Sequence, residues 1–263
     1  TFDDMRAERN ELQAVVFPKV RAECERQGWA LQVVDLRWGI RDESTDSHRT
    51  VPICMEEIRR CRLLSPRANF LLLLGTRYGY RPLPEELPPS LHSRFAAALA
   101  LRADDGATLA TMLEEWYPLE PNLVPPARVL RPLDDTNRAE YWSTVLPSLG
   151  PALRAVAAEL HDAGDVAVTT RDRVVKSVTE QEVLRGMLSD AEAATHTACF
   201  SRTISGYNAR DAGAHRYVDQ KRVPPSEAAP GGWAVDDEAA ALREDLRGRV
   251  RAFLPAERFW STK

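Results

Sequence analysis

Hydrophobic positions at the start of the chain recur at helical spacing: Met5, Leu12, Val16, Val20 and Cys24 fall seven or four residues apart. That is the stripe one face of an α-helix presents, so a helix is predicted over Thr1 to Gln27. Thr1 or Asp3 would cap it, acids crowd its first turn, and Gly28 would end it. Pro18 interrupts the pattern, so a kink or local break is expected near Ala14. Trp29 to Leu36 is rich in residues that suit a strand, and a polar loop follows from Arg37. Val51 to Leu64 reads as a second helix, with Pro52 early and Cys54, Ile58 and Cys61 on one face. Phe70 to Leu74 is a continuous apolar run closed by Gly75, which suits a central parallel strand covered on both faces. Strand, helix, strand at this spacing is a right-handed crossover unit, so the predicted class is α/β.

The pattern then changes. Arg81 to Ser90 and Pro118 to Pro132 are proline-rich, while Phe95 to Glu115 and Thr136 to His161 have helical periodicity. Helical pieces between proline punctuation read as a long, partly helical insertion. From Val174 the α/β pattern resumes, and Ser177 with Glu180 fits a capping box opening a helix to about Leu188. Thr195 to Ile204 suits a buried strand, Tyr207 to Trp233 is loop-rich, and Asp236 to Phe253 is an amphipathic helix. The expected organisation is one α/β domain from 1–81 and 174–263, split by an insertion over 82–173.

Composition narrows the function classes. The 263 residues are 44% hydrophobic and 28% charged, an ordinary globular balance. A net charge of -4 argues against direct binding of nucleic acid, which draws its affinity from Lys and Arg. No apolar run approaches the ~20 residues of a membrane span, and no signal peptide is visible, so a cytoplasmic protein is expected. Cys24, Cys54, Cys61 and Cys199 lack zinc-site spacing, and the five histidines form no ligand pattern, so no metal is expected. Dinucleotide-binding glycine repeats, the P-loop and the nucleophile elbow are all missing. An enzyme built from this chain would work with carboxylates, arginines and aromatics.

Those residues gather at two strand ends. Ligands of an open parallel sheet sit beyond the carboxyl ends of its strands. Here those ends carry Arg37, Trp38 and Gly39 after the first strand, and Arg77, Tyr78 and Gly79 after the second. Arginine, aromatic and glycine together can pair an anion, stack a ring and bring backbone close to a ligand. They can equally shape turns and pack against the insertion. Two glutamates stand out. Glu57 lies between Cys54 and Cys61, where pairing with Arg60 or another arginine is expected. Glu182 flanks the stripe of Val183 and Met187, and Gly186 leaves a gap beside it that could admit a neighbouring backbone or a ligand.

Five motifs occur in order: Thr1 to Asn10, Val34 to Ile40, Cys54 to Cys61, Leu74 to Arg81, and Ser177 to Val183. Together they resemble the TIR-like N-terminal domain of the signalling NTPases of the STAND class. These are the NACHT/WD-repeat, nephrocystin-type and telomerase-associated proteins. The resemblance implies a flavodoxin/TIR-like parallel sheet flanked by helices, at the front of a longer protein with NTPase and repeat domains. It also implies a first strand ahead of Thr1 that this chain lacks. TIR domains that act on NAD+ place a glutamate in a pattern that Glu182-Val183-Leu184-Arg185-Gly186-Met187 matches, although Val178 stands where they often carry tryptophan. By that likeness Glu182 would be catalytic, and Arg37, Trp38, Arg77 and Tyr78 would flank the nucleotide. Three readings stay open: a self-associating or partner-recruiting effector domain, an NAD+ glycohydrolase with NAD+ as substrate, or a nucleotide sensor without turnover.

Overall fold

The elements follow from the patterns above, with several additions. The computed structural model describes residues 4–36, 47–65, 67–208, 211–223 and 232–262. In chain order they are α1 (Arg6–Glu11), a π-helical turn (Leu12–Val16), α2 (Phe17–Arg26), α3 (Thr50–Leu64), β1 (Phe70–Leu74) and β2 (Glu86–Leu87). Next come α4 (Pro89–Ala100), α5 (Gly106–Trp116), β3 (Leu119–Glu120), β4 (Ala127–Val129) and α6 (Arg138–Glu140). A π-helical stretch (Tyr141–Val145) runs on into α7 (Leu146–Asp162), followed by α8 (Val168–Val175) and α9 (Val178–Val183). A π-helical turn (Leu184–Leu188) extends α9 before β5 (Thr197–Arg202), β6 (Gln220–Val223), β7 (Gly232–Val235), α10 (Asp237–Phe253) and β8 (Phe259–Thr262). The protein is α/β, with a parallel three-stranded sheet flanked by helices. Among the described residues no helix is long and apolar enough to cross a membrane.

The chain divides into two units, of which the first comprises Thr1–Gly39, Cys54–Tyr80 and Glu182–Lys263. Its sheet has the order β1-β5-β8, all parallel, with Leu72 opposite Cys199 and Cys199 opposite Phe259. One face of that sheet is covered. Leu72, Leu74 and Cys199 pack with Val183 and Met187 from α9 and its extension, and with Leu246, Val250 and Leu254 from α10 and its end. Asp236 caps α10 through its side chain, which accepts the Ala239 N–H at 3.1 Å.

Several expectations are corrected here, and the break near Ala14 is met. Trp29 to Leu36 has strand propensity yet pairs with no strand among the described residues. A strand is stabilised by its neighbours more than by its own sequence, and this segment finds none. Among the described residues the expected crossover unit is therefore not formed, and β1 lies at a sheet edge with Leu71 40% exposed. The loop-rich stretch after Tyr207 contains an antiparallel hairpin, β6 with β7, and the C-terminal tail adds β8 beyond its helix. The break expected near Ala14 is a π-helical turn directly before Pro18, where the missing proline N–H defeats ordinary helical pairing. Thr1 and Asp3, the expected caps, lie outside the described residues.

The second unit comprises Ile40–Ile53 and Arg81–Gln181. Its proline-rich sequence builds a packed core rather than an open linker. Phe95, Leu99, Leu113, Trp116, Tyr117, Tyr141, Leu149 and Leu153 are all buried in one cluster. A small antiparallel sheet of order β2-β4-β3 belongs to this unit. Pro89 fits in the first turn of α4, where no helical N–H is required. Tyr117 is fully buried, and its hydroxyl donates to the Pro84 carbonyl at 2.7 Å. The Ser177 half of the expected capping box is present, with Ser177 Oγ accepting the Glu180 N–H at 3.2 Å. The buried Glu180 carboxylate also accepts from Lys176 Nζ at 2.6 Å.

Candidate functional site

The carboxyl ends of β1 and β5 carry a dense polar cluster in the first unit. Gly75 follows β1 because a side chain there has no room: an added Cβ would lie 2.0 Å from Asp4 Oδ2. Asp4 is buried and accepts the Arg77 N–H at 3.1 Å. Asp219, just before β6, accepts the Tyr78 N–H at 2.5 Å and the Gly79 N–H at 3.4 Å, and faces Arg77 Nε at 3.4 Å. The strand-end carbonyls are met by arginines of α10. Arg247 donates to the Gly75 carbonyl at 3.1 Å and to Thr203 Oγ1 at 3.2 Å, and Arg243 donates to the Thr76 carbonyl. Thr76 Oγ1 donates to the Tyr217 carbonyl.

The N-terminal helix closes this cluster from the other direction. Arg202, the last residue of β5, pairs with Glu8 and donates to the Asp4 carbonyl. Arg9 pairs with Asp35 at 2.8 Å. Among the described residues several polar atoms here are buried with no hydrogen-bond partner: Asp4 Oδ1, Glu8 Oε2, and the Nε of Arg9, Arg202 and Arg247. Each such atom costs about 1–3 kcal/mol when left unpaired, which makes this strand end a candidate site.

Glu182 stands beside Cys54 of α3. The Cys54 thiol is pushed up to about 12 by burial, by the Glu182 charge and by its hydrogen bond to that carboxylate. Burial likewise raises Glu182 above the usual carboxylate range, and the Cys54 hydrogen bond and the Arg9 guanidinium oppose the rise. The residue keeps partial solvent exposure while its carboxyl group is strongly desolvated. The gap at Gly186 is filled: an added Cβ would lie 2.6 Å from Phe70 Cδ2, so the Phe70 ring takes the space expected for a backbone or ligand.

Arg77 and Tyr78 are thus held at the β1 end, with the Tyr78 residue 1% exposed. Glu182 is held by Cys54 and by the charge of Arg9. Arg37 and Trp38 lie outside the described residues. Glu57 pairs with Arg60 at 2.8 Å, as its position on the helix predicts. Sequence reasoning missed Asp4, Glu8, Arg9, Arg202, Asp219, Arg243 and Arg247, because none of them stands in a spacing that separates it from a solvated surface charge. Among the described residues no group of three or more His, Cys, Asp or Glu could hold a metal ion.

The structure thus defines a protein of α/β class, with a polar cluster at the carboxyl edge of its parallel sheet. Residues 1–102 match a family described as a domain of unknown function, DUF4062. The chain is similar to NACHT domain- and WD repeat-containing protein 1 of Mus musculus, at 29% identity over 251 residues covering 94% of this chain and 15% of that protein. It is also similar to NACHT and WD repeat domain-containing protein 2 of Homo sapiens, at 30% identity over 68% of this chain and 11% of that protein. Telomerase protein component 1 of Rattus norvegicus is 37% identical over 92 residues, 35% of this chain and 3% of that protein. The chain therefore spans 15% or less of the length of these relatives. No solved structure shows significant similarity.

Proposed function

We propose that this chain is an effector domain of a larger NACHT- and WD-repeat-type signalling protein, and that it works by self-association. In this reading 82–173 is an insertion within a TIR-like sheet domain. The observation that carries it is a part-exposed apolar patch on one face of the parallel sheet, formed by Leu71, Phe200 and Trp260. By register these three share the face with Leu73, which is buried, while Leu71 is 40% exposed. Phe200 and Trp260 stack with ring centroids 4.6 Å apart, yet remain 38% and 44% exposed. Parallel sheets are ordinarily covered on both faces, and an open stacked aromatic pair suits a second copy of the same face. Sedimentation velocity tests this: the wild-type chain forms dimers or larger species as concentration rises, and Trp260→Asp shifts it towards monomer. A wild-type chain that stays monomeric, or a Trp260→Asp variant that associates equally well, overturns the reading.

A second reading rests on Glu182, whose desolvated carboxyl group sits in the Glu-aliphatic-x-x-small-aliphatic pattern. A carboxylate in a low-dielectric site stabilises positive charge developing on a ribose as nicotinamide departs. Arg37, Trp38, Arg77 and Tyr78 would flank the nucleotide. Nicotinamide release from NAD+ by concentrated protein, abolished in Glu182→Gln and retained in Glu57→Gln, supports it. Release that is absent or unaffected by Glu182→Gln rejects it.

A further inference from the structure

We propose that the Arg77 guanidinium and the backbone N–H groups of Tyr78 and Gly79 form a binding site for a diphosphate group, which Asp219 of the same chain occupies in this structure. The proposal deepens the nucleotide reading of this strand end, since Arg77 and Tyr78 belong to both, but its test requires no cleavage.

Three successive amides point at carboxylate oxygens here. The Arg77 N–H meets Asp4, and the Tyr78 and Gly79 N–H groups meet Asp219. Consecutive N–H groups converging on one anion make a nest, and nests of this kind bind phosphate. Gly79 makes it attainable, because its φ of 100° is a conformation that residues with a Cβ avoid. Arg77 adds a charged donor: its Nε lies 3.4 Å from Asp219 Oδ1, and a guanidinium matches a phosphate edge as well as a carboxylate. The location is the carboxyl end of a parallel strand, where such folds place their ligands.

Asp219 behaves as a stand-in for that ligand. Its two oxygens take the three donors that a phosphate would take, and its side chain is 13% exposed, within reach of solvent. Asp4 is the permanent neighbour, buried against Gly75. With Asp4 fixed, a second anion is admitted only as Asp219 departs, so the exchange trades one anion for another. The Asp219 segment is anchored nearby through Thr76 and Tyr217, so withdrawal of one carboxylate leaves the rest of the strand end in place.

The test is calorimetric titration of the chain with inorganic pyrophosphate. Asp219→Ala should bind about tenfold or more tightly than wild type, because an internal competitor has been removed. The double variant Asp219→Ala/Arg77→Gln should lose that gain. Absence of a gain in folded Asp219→Ala, or its persistence without Arg77, overturns the proposal. Should circular dichroism show Asp219→Ala unfolded, Asp219→Asn carries the same test, since it keeps an oxygen for the Tyr78 N–H and removes the charge. In the wild-type chain, pyrophosphate should shift the Tyr78 and Gly79 amide resonances saturably, and unmoved resonances reject the site. Titration with ADP separates the sources: tighter binding than pyrophosphate assigns the site to a nucleoside diphosphate, and equal binding assigns it to the diphosphate alone.

Discussion

Two glycines in helical segments of the same unit should respond to alanine with opposite signs. Gly186 lies in the π-helical turn after α9, and an added Cβ would approach Phe70 Cδ2 at 2.6 Å, Cε2 at 2.7 Å and Cγ at 3.0 Å. The close atoms reach back to the ring's attachment point, so rotation of the far end does not relieve them. Phe70 is also the first residue of β1, held in register opposite Thr197. Overpacking of this kind costs about 1–3 kcal/mol, against a gain of about 1 kcal/mol from replacing a helical glycine. Gly186→Ala should therefore lose roughly 1–2 kcal/mol of stability. Gly248 lies within α10, and an added Cβ there meets nothing within 4 Å. Gly248→Ala should gain about 0.5–1 kcal/mol from helix propensity. Urea unfolding followed by circular dichroism, with exchange of the Leu72 and Leu74 amides as a probe of the sheet, measures both. A Gly186→Ala variant as stable as wild type, with Gly248→Ala behaving as expected, would mean that Phe70 does not fill the gap beside Glu182.

Glu182 sets a pH dependence. Burial raises its folded pKa above the ordinary 4.5, so the folded state holds this proton more tightly than the unfolded chain. Its favourable state is complete below 4.5 and is lost as pH rises through the raised value, so Glu182→Gln should gain stability relative to wild type as pH increases. A difference between the two that stays constant from about pH 4 to about pH 8 refutes this. Thiol chemistry should follow burial. Cys54 and Cys199, both pushed up to about 12, should resist maleimide in the native protein while part-exposed Cys24 reacts. Labelling of Cys54 as fast as Cys24 would show that the contact between Cys54 and Glu182 opens to solvent.

Local elements were legible where local physics decides them. The helices at Thr50–Leu64 and Asp237–Phe253 follow from periodicity and caps, and the apolar run at Phe70–Leu74 forms a strand because five such residues seek burial. The Ser177 cap and the Glu57–Arg60 pair were legible for the same reason, since both partners lie within one helical turn. The candidate site was only partly legible. Arg77 and Tyr78 stand beside an evident strand end. Asp4 and Asp219, which hold their backbone, lie 73 and 142 positions from Arg77, and no local pattern links them.

What the sequence determined by itself is the class: an α/β chain with a parallel strand, helices of readable length, and a proline-punctuated middle. Tertiary structure alone decided which propensities were realised. Trp29 to Leu36 is rich in strand formers yet pairs with no strand among the described residues, while Phe259 to Thr262 forms a strand against β5. It also decided that Phe70 occupies the gap at Gly186, and that arginines of α10 close the strand-end carbonyls. The physical reason is common to all of these. Helix turns and caps are satisfied within a few residues, whereas strand pairing, burial of a carboxylate and occupation of a gap depend on groups brought together only by folding.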